Sequence, residues 1–268
     1  MPTRDTPWPQ GTPCWVDLQV DDTTAARAYY STLFGWDIFD APAEAGGYLM
    51  AMLDGRPAAG IGPKPAGEPM PSVWSTYLAV DDADATAATA TAAGAMALMP
   101  PFDVLDLGRM TFLVDPTGAA FGIWEAKGHG GAGIFNQQGA LCWNELHTRD
   151  LPGAQAFYAQ VFGYDYTPMM PGYATFALPG TGPEAAVGGF CDDGAMGVPV
   201  GAPAHWLTWF QVDDVDATLA TAAELGSAVA MGPEDAPVGR MAVIIGAQGE
   251  AFGIITPQPV AAEGDQEG

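Results

Sequence analysis

The chain has 268 residues, 49% of them hydrophobic, and a formal charge of -24, because 32 Asp and Glu residues outnumber 8 Lys and Arg. This length fits two domains of about 130 residues, each large enough to bury a core. The charge argues against nucleic acid as a partner, since such a surface repels phosphate. No apolar run reaches the roughly 18 residues that cross a bilayer, so no membrane partner is expected.

The N-terminus and the cysteines set two further limits. The first residues, MPTRDTPWPQGTP, lack the apolar segment of a signal peptide, so a cytoplasmic location is expected. Three cysteines, Cys14, Cys142 and Cys191, are too few for a disulfide framework and are interpreted as buried thiols.

The first predicted elements are a strand and a helix. Residues 14–20 alternate between two sets of side chains, which predicts a strand with two different faces. Asp22 or Thr23 suits the N-cap of the helix that follows, and Gly35 suits its C′ position. The apolar residues of this helix fall on one face: Ala26, Tyr29, Tyr30, Leu33 and Phe34.

Short alternating runs complete a module of the order β-α-β-β-β. They include YLMAML, RMTFLV and FGIW, and Gly, Pro and Asp separate them as turn residues. The sequence Val-Asp-Asp of residues 20–22 recurs at 80–82, where it begins a second helix from about Asp82 to Gly94. The first half therefore contains two modules of about 60 residues.

A glycine-rich segment separates the two halves. It contains G-x-G-x-x-G at Gly128, Gly130 and Gly133, but no helix follows, so a dinucleotide site is not predicted. We interpret the segment as a flexible linker in which His129 is solvated.

The second half repeats the first. CWVDLQVDDTTAARAYYSTLFGWD at 14–37 returns as CWNELHTRDLPGAQAFYAQVFGYD at 142–165, and two later blocks recur in the same order. Helices are predicted from Asp150 to Gly163 and from Asp214 to Gly226. The predicted organisation is domain 1 (11–127), linker (128–138), domain 2 (139–257) and a disordered tail (258–268).

Four motifs together resemble the vicinal oxygen chelate superfamily of glyoxalases, bleomycin-resistance proteins and extradiol dioxygenases. They are W-x-[DE]-L, A-x-x-[FY]Y-x-x-[LV]FG[WY], V-D-D-x-D-A and D-P-x-G-A-x-F-G, and they cover residues 11–257. The chain is similar to two-domain glyoxalase-like proteins of the Cfp30B kind, often labelled hydroxylases. The resemblance implies an α+β fold with four tandem βαβββ modules in two domains with concave mixed sheets.

The resemblance also implies where a divalent metal would be held, on the first and last strands of paired modules. Those positions carry no histidine or carboxylate, and tryptophan, leucine and glycine side chains cannot ligate a cation. We therefore expect no metal and no other cofactor at these positions. The positions are Trp15, Ser75, Trp143, Leu207, Gly122 and Gly253, and two more near Gly60 and Gly188.

The face that would hold the metal supplies the candidate site residues. Glu145, His147 and His205 are candidates for acid-base catalysis or for a displaced metal site. Alternatively, Asp17 and Glu145 are structural acceptors of hydrogen bonds. Ligand-binding candidates on the same faces are Trp15, Asp17, Gln19, Tyr77, Trp143, Trp209 and Gln211.

Two functions and a third alternative follow from these residues. The first is a small-molecule-binding protein that lacks the usual metal ligands and accepts an aromatic or apolar compound. The second is an enzyme of the superfamily, a hydroxylase or dioxygenase, lyase or isomerase, that uses Glu145, His147 and His205. The third is an inert or scaffolding relative. The sequence leaves open which modules share a sheet and whether the chain forms a homodimer.

Overall fold

The computed structural model describes residues 2–65, 67 and 70–258. Domain 1 contains the strands β1 (Pro13–Val20), β2 (Asp37–Asp40), β3 (Leu49–Leu53), β4 (Arg56–Pro63), β5 (Val73–Ala79), β6 (Met96–Ala97), β7 (Phe102–Val104), β8 (Gly108–Val114) and β9 (Ala120–Ala126), with the helices α1 (Thr23–Phe34) and α2 (Ala83–Ala92). Domain 2 contains β10 (Leu141–Thr148), β11 (Asp165–Met170), β12 (Tyr173–Ala177), β13 (Ala186–Asp192), β14 (His205–Gln211), β15 (Ala228–Ala236), β16 (Gly239–Ile245) and β17 (Ala251–Pro257), with α3 (Leu151–Phe162) and α4 (Val215–Glu224).

These elements confirm the predicted α+β class and the βαβββ order. Apart from Gln258, the predicted disordered tail lies outside the described residues. None of the described helices is long and apolar enough to cross a membrane.

Each domain forms one mixed sheet from its own two modules. The order in domain 1 is β2-β3-β4-β1-β5-β9-β8-β6, with β7 paired to β8, and the order in domain 2 is β11-β12-β13-β10-β14-β17-β16-β15. The two modules of a domain join through their first strands, which run antiparallel as β1 with β5 and as β10 with β14. The pairing that the sequence left open is therefore within each domain.

The four α-helices of the described residues begin in the same way. The side chain of an aspartate N-cap accepts a hydrogen bond from the backbone N–H three residues later, at 2.9–3.0 Å. Such a cap stabilises a helix by about 1 kcal/mol. The capping residues are Asp22, Asp82, Asp150 and Asp214.

The helices lie between the two sheets, so the domains share their hydrophobic cores. Phe34 of α1 packs against Phe210 of β14, with ring centroids 4.9 Å apart, and Tyr158 of α3 packs against Phe121 of β9 at 5.4 Å. Trp74 and Trp206 are buried in these cores, as their position in the strand alternation indicates.

Buried tyrosines also connect the two domains through hydrogen bonds. Tyr30 of domain 1 donates to Glu250 Oε1 of domain 2 at 2.8 Å, and Tyr158 of domain 2 donates to Asp115 Oδ2 of domain 1 at 3.1 Å. The two carboxylates occupy equivalent places in the two domains, although they come from positions four residues apart in the repeat. The counterpart of Asp115 in domain 2 is Gly246, and a Cβ on Gly246 would be 2.3 Å from Glu250 Oε1.

Candidate functional site

The concave face of each sheet centres on a buried carboxylate that is hydrogen-bonded to aromatic side chains. In domain 1, Asp17 lies between Gly60 on β4 and Ser75 on β5. Its Oδ2 accepts a hydrogen bond from the Tyr77 hydroxyl at 2.8 Å. Trp15 Nε1 donates to the Tyr48 hydroxyl at 3.1 Å. Tyr48 was not predictable as a site residue, because its place beside Trp15 depends on how β3 and β4 pair.

Burial is the largest influence on the pKa of the Asp17 carboxyl group. It raises the pKa of Asp17 to about 7, although the hydrogen bond from Tyr77 acts in the opposite direction. Among the described residues, Asp17 Oδ1 has no hydrogen-bond partner. A carboxylic acid at this position is therefore partly protonated near neutral pH.

The corresponding centre of domain 2 is Glu145. Its Oε1 accepts from the Tyr173 hydroxyl at 2.8 Å and its Oε2 accepts from Trp209 Nε1 at 2.9 Å. Trp143 Nε1 donates to the same Tyr173 hydroxyl at 3.1 Å. Tyr173 thus repeats the role of Tyr48 as the acceptor for a tryptophan, and Glu145 accepts hydrogen bonds from two aromatic side chains.

Aromatic rings fill the space above the glycines of the usual metal positions. A Cβ on Gly122 would lie 2.3 Å from the Tyr77 ring, and a Cβ on Gly253 would lie 2.1 Å from the Trp209 ring. On the other side, Gly60 and Gly189 make the same room for Tyr48 and Tyr173. The position expected near Gly188 is therefore Gly189, which pairs with Glu145, whereas a Cβ on Gly188 would lie 2.3 Å from the buried Phe176 ring. The residues at the superfamily's usual positions therefore do not fit a divalent metal: they offer no histidine or carboxylate, and aromatic rings occupy the adjacent volume.

The linker covers the concave face of domain 1, which corrects the expectation of a flexible segment. The His129 ring lies edge-on to Trp15, with centroids 4.5 Å apart, and Trp124 Nε1 donates to the His129 carbonyl oxygen at 2.9 Å. The segment is glycine-rich because it runs against the sheet: Gly131 has φ +98°, and a Cβ there would lie 2.5 Å from the Cys14 carbonyl oxygen.

His129 is half-buried rather than solvated, and burial lowers its pKa to about 4. A cavity of about 530 Å³ lies between this linker, the N-terminal segment with Arg4, and the β3–β4 turn with Arg56. The cavity is formed by segments that cover domain 1, and neither Asp17 nor Glu145 lines it.

Domain 2 places a second row of polar residues beside Glu145. His147 on β10 lies in register with Cys191 on β13 and with His205 on β14. Its Nδ1 is 2.9 Å from Asp193 Oδ1, and its Nε2 is 3.7 Å from Glu145 Oε2. Neither Asp193 nor Cys191, which the sequence indicated only as a buried thiol, was a site candidate, because both lie on or after the fourth strand of the module.

The two histidines lie together, a point that the sequence could not decide. Their rings are stacked with centroids 4.9 Å apart and an interplanar angle of 12°. Burial lowers the pKa of His205, and the charge of His147 lowers it further. Burial also disfavours the charged form of His147, but its interactions with Glu145 and Asp193 outweigh burial and raise its pKa.

The remaining two candidates lie at the edges of these faces. Gln19 takes the place of His147 in domain 1 and pairs with Gly62 and Val73. Gln211 lies at the end of β14, where its backbone exchanges hydrogen bonds with Gly139 and Ala140.

The family comparison agrees with this architecture. The model of the Glyoxalase/Bleomycin resistance protein/Dioxygenase superfamily matches residues 14–123 and again 142–254. "Putative glyoxylase CFP32" of Mycobacterium bovis is 44% identical over 265 residues, which cover 97% of this chain and 99% of that protein. "Anthracycline biosynthesis protein DnrV" of Streptomyces peucetius is 35% identical over 263 residues, which cover 91% and 93%.

Solved structures share the fold at low sequence identity. A Mn(II)-bound glyoxalase from Novosphingobium aromaticivorans has a TM-score of 0.61 at 15% identity, covering 92% of this chain and 83% of that one. The 2,2',3-trihydroxybiphenyl 1,2-dioxygenase of Sphingomonas wittichii has a TM-score of 0.61 at 15% identity, covering 92% and 91%. The chain therefore belongs to the Glyoxalase/Bleomycin resistance protein/Dioxygenase superfamily.

Proposed function

We propose that this protein binds a flat aromatic small molecule on the concave face of domain 2, without a metal at the superfamily's usual positions. The observation that supports this proposal most directly is the difference in cover between equivalent tryptophans. Trp15 in domain 1 is 4% exposed beneath His129, whereas Trp143 in domain 2 is only half-buried. A partly accessible indole beside polar groups is typical of a small-molecule site.

The chemistry of the face favours a planar ligand with a polar edge. Trp143, Tyr173 and the stacked pair of His147 and His205 offer aromatic surfaces, and aromatic rings attract one another in offset or edge-on arrangements. Glu145 provides a fixed acceptor beneath them. Anthracyclines contain planar fused rings with hydroxyl groups, so the relative named for anthracycline biosynthesis favours a polycyclic hydroxyaromatic ligand.

The test is a binding titration of the full chain with a dihydroxyanthraquinone as the probe, followed by its absorbance or by calorimetry. We expect one site per chain. Trp143→Ala should weaken the affinity about tenfold, which corresponds to about 1.4 kcal/mol, because it removes the indole against which the ligand would pack. The matched variant Trp15→Ala should leave the affinity within about twofold, provided that the chain remains folded. Two equal sites, or equal losses in both variants, would contradict the proposal.

A second candidate function is acid-base catalysis by His147 in an enzyme of the superfamily. The observation that favours it is the contact between His147 Nδ1 and Asp193, which fixes the imidazole with Nε2 directed towards the Glu145 side. His147→Gln distinguishes the two functions. A fall in turnover of about 100-fold or more at unchanged affinity supports the enzyme, whereas a change in affinity alone supports the binding protein.

A further inference from the structure

We infer that Glu145, His147 and Cys191 form a site for a soft divalent cation such as Zn²⁺ on the concave face of domain 2. A carboxylate oxygen, an imidazole nitrogen and the thiol sulfur of these residues all lie within 4.8 Å of one another. The site is displaced from the superfamily's usual positions, because His147 and Cys191 occupy the register row next to that of Glu145.

The three ligand types match the chemistry of zinc. Zinc binds sulfur, nitrogen and oxygen donors in tetrahedral geometry, and three protein ligands with one open position are typical of its catalytic sites. In tetrahedral zinc sites, neighbouring ligand atoms lie about 3.5 Å apart. Side-chain rotations that move the ligand atoms by about 1 Å would bring the three atoms of this cluster to that separation. Cys191 is 4% exposed and Glu145 is 9% exposed, so few water molecules would compete with these two side chains for the cation.

Asp193 supplies the second observation that points to a cation. It is fully buried and lies 2.9 Å from His147 Nδ1, the arrangement by which a carboxylate orients a metal-binding histidine. With a proton on Nδ1, the lone pair of Nε2 is free to bind a metal. Nε2 is buried without a hydrogen-bond partner among the described residues. A cation between Nε2 and Glu145 would satisfy this nitrogen and neutralise the carboxylates around it.

The hydrogen bonds of Glu145 leave it able to bind a cation. Tyr173 and Trp209 each donate to one of its oxygens, which orients the carboxylate. An ionised carboxylate has about four acceptor positions, so lone pairs remain for a metal.

The counterparts of these residues in domain 1 predict one site per chain. Gln19 replaces His147 and Gly62 replaces Cys191, as the strand registers show. Lys64 replaces Asp193 and pairs with Asp21 at 2.8 Å. An ammonium group and two missing ligands exclude the same site there.

The experiment uses full-length protein without a histidine tag, stripped of metal and titrated with Co²⁺ as a spectroscopic probe for Zn²⁺. We expect one equivalent of Co²⁺ to displace the proton of the Cys191 thiol to solvent and to produce an intense near-ultraviolet charge-transfer band from the bound thiolate, and Zn²⁺ to remove this band by competition. The isosteric Cys191→Ser should abolish the band while far-ultraviolet circular dichroism remains unchanged. Cys142→Ser, which removes a thiol of the same domain, should leave it intact.

Two further variants test the roles of the histidine and of Asp193. His147→Gln should weaken Co²⁺ binding at least tenfold. Asp193→Asn should weaken it about 10-fold to 100-fold but restore the full band at saturation, as expected for a positioning residue. No band in the folded protein at millimolar Co²⁺, or a band that survives in Cys191→Ser, would overturn the inference. No organic ligand is added, so this result is independent of the proposed aromatic ligand.

Discussion

The two domains share the same arrangement of a carboxylate and aromatic rings, but they differ in how that face is covered and in the chemistry of the next row of residues. Both place a carboxylate beneath a tryptophan-tyrosine pair, with glycines that make room for the rings. In the next row, domain 1 has glutamine, glycine and valine where domain 2 has His147, Cys191 and His205. The shared carboxylate, tryptophan and tyrosine form the frame, and the row found in domain 2 alone adds two imidazoles and a thiol to it.

The largest expected effect separates the two tryptophans by stability. Trp15→Ala removes a buried indole and should lower the free energy of unfolding by about 3–5 kcal/mol. Trp143→Ala removes a half-exposed indole and should lower it by about 1–2 kcal/mol, because less apolar area is lost. Urea denaturation followed by circular dichroism measures both. Equal losses would mean that the linker does not close domain 1 in solution.

The next effect is a dependence of stability on pH that originates in domain 1. The pKa of Asp17 is raised to about 7 from an ordinary value of 3.8, so between these values the folded chain holds a proton that the unfolded chain has released. The resulting stability is fully present below pH 3.8 and is lost as the pH rises through 7, a change of up to about 4 kcal/mol.

Asp17→Asn should remove this dependence, because an amide resembles the protonated acid. We expect the variant to unfold at a higher temperature than the parent at pH 8 and at a similar temperature at pH 4, as measured by calorimetry. Asp37→Asn, at an exposed position, is the control and should change neither value. A variant that is less stable than the parent at pH 8 would show that the ionised form of Asp17 stabilises the fold.

The smallest effect compares two glycines of β4 that point to the same face. Gly60→Ala would place a Cβ 1.7 Å from the Tyr48 hydroxyl and should destabilise the chain by about 1–3 kcal/mol. Gly62→Ala places its Cβ 3.3 Å from the Tyr48 ring and should change stability by less than about 1 kcal/mol. Thermal unfolding of both variants under one condition gives the difference. A reversed order would show that the Tyr48 ring moves away readily.

The fold was largely predictable because its signals are local. Alternation within β1, aspartate N-caps and the repeated blocks indicate the elements without reference to distant contacts. The pairing of modules was not predictable, because β1 and β5 meet through backbone hydrogen bonds that leave no local sequence pattern. The linker was misread because its glycine content was taken to indicate flexibility, whereas one of its glycines, Gly131, makes room for close contact with the sheet.

The candidate site was predictable only along single strands. The two-residue period placed Trp143, Glu145 and His147 on one face, as the structure has them. Tyr173, Cys191 and Asp193 were missed, because their distance from Glu145 is set by the parallel pairing of β10 with β13. A site assembled across strands depends on register, which one sequence does not reveal.

The reciprocal tyrosine contacts between the domains have a consequence for how this chain can diverge. Tyr30 reaches Glu250 and Tyr158 reaches Asp115, which resembles the pattern that two identical subunits would make about a twofold axis, although the two carboxylates come from different positions in the repeat. In a symmetric dimer, every substitution in one pocket is also made in the other. A covalently joined pair is free of that rule. One domain can keep a covered face and pack against its neighbour, while the other acquires a histidine, a thiol and a partly accessible tryptophan.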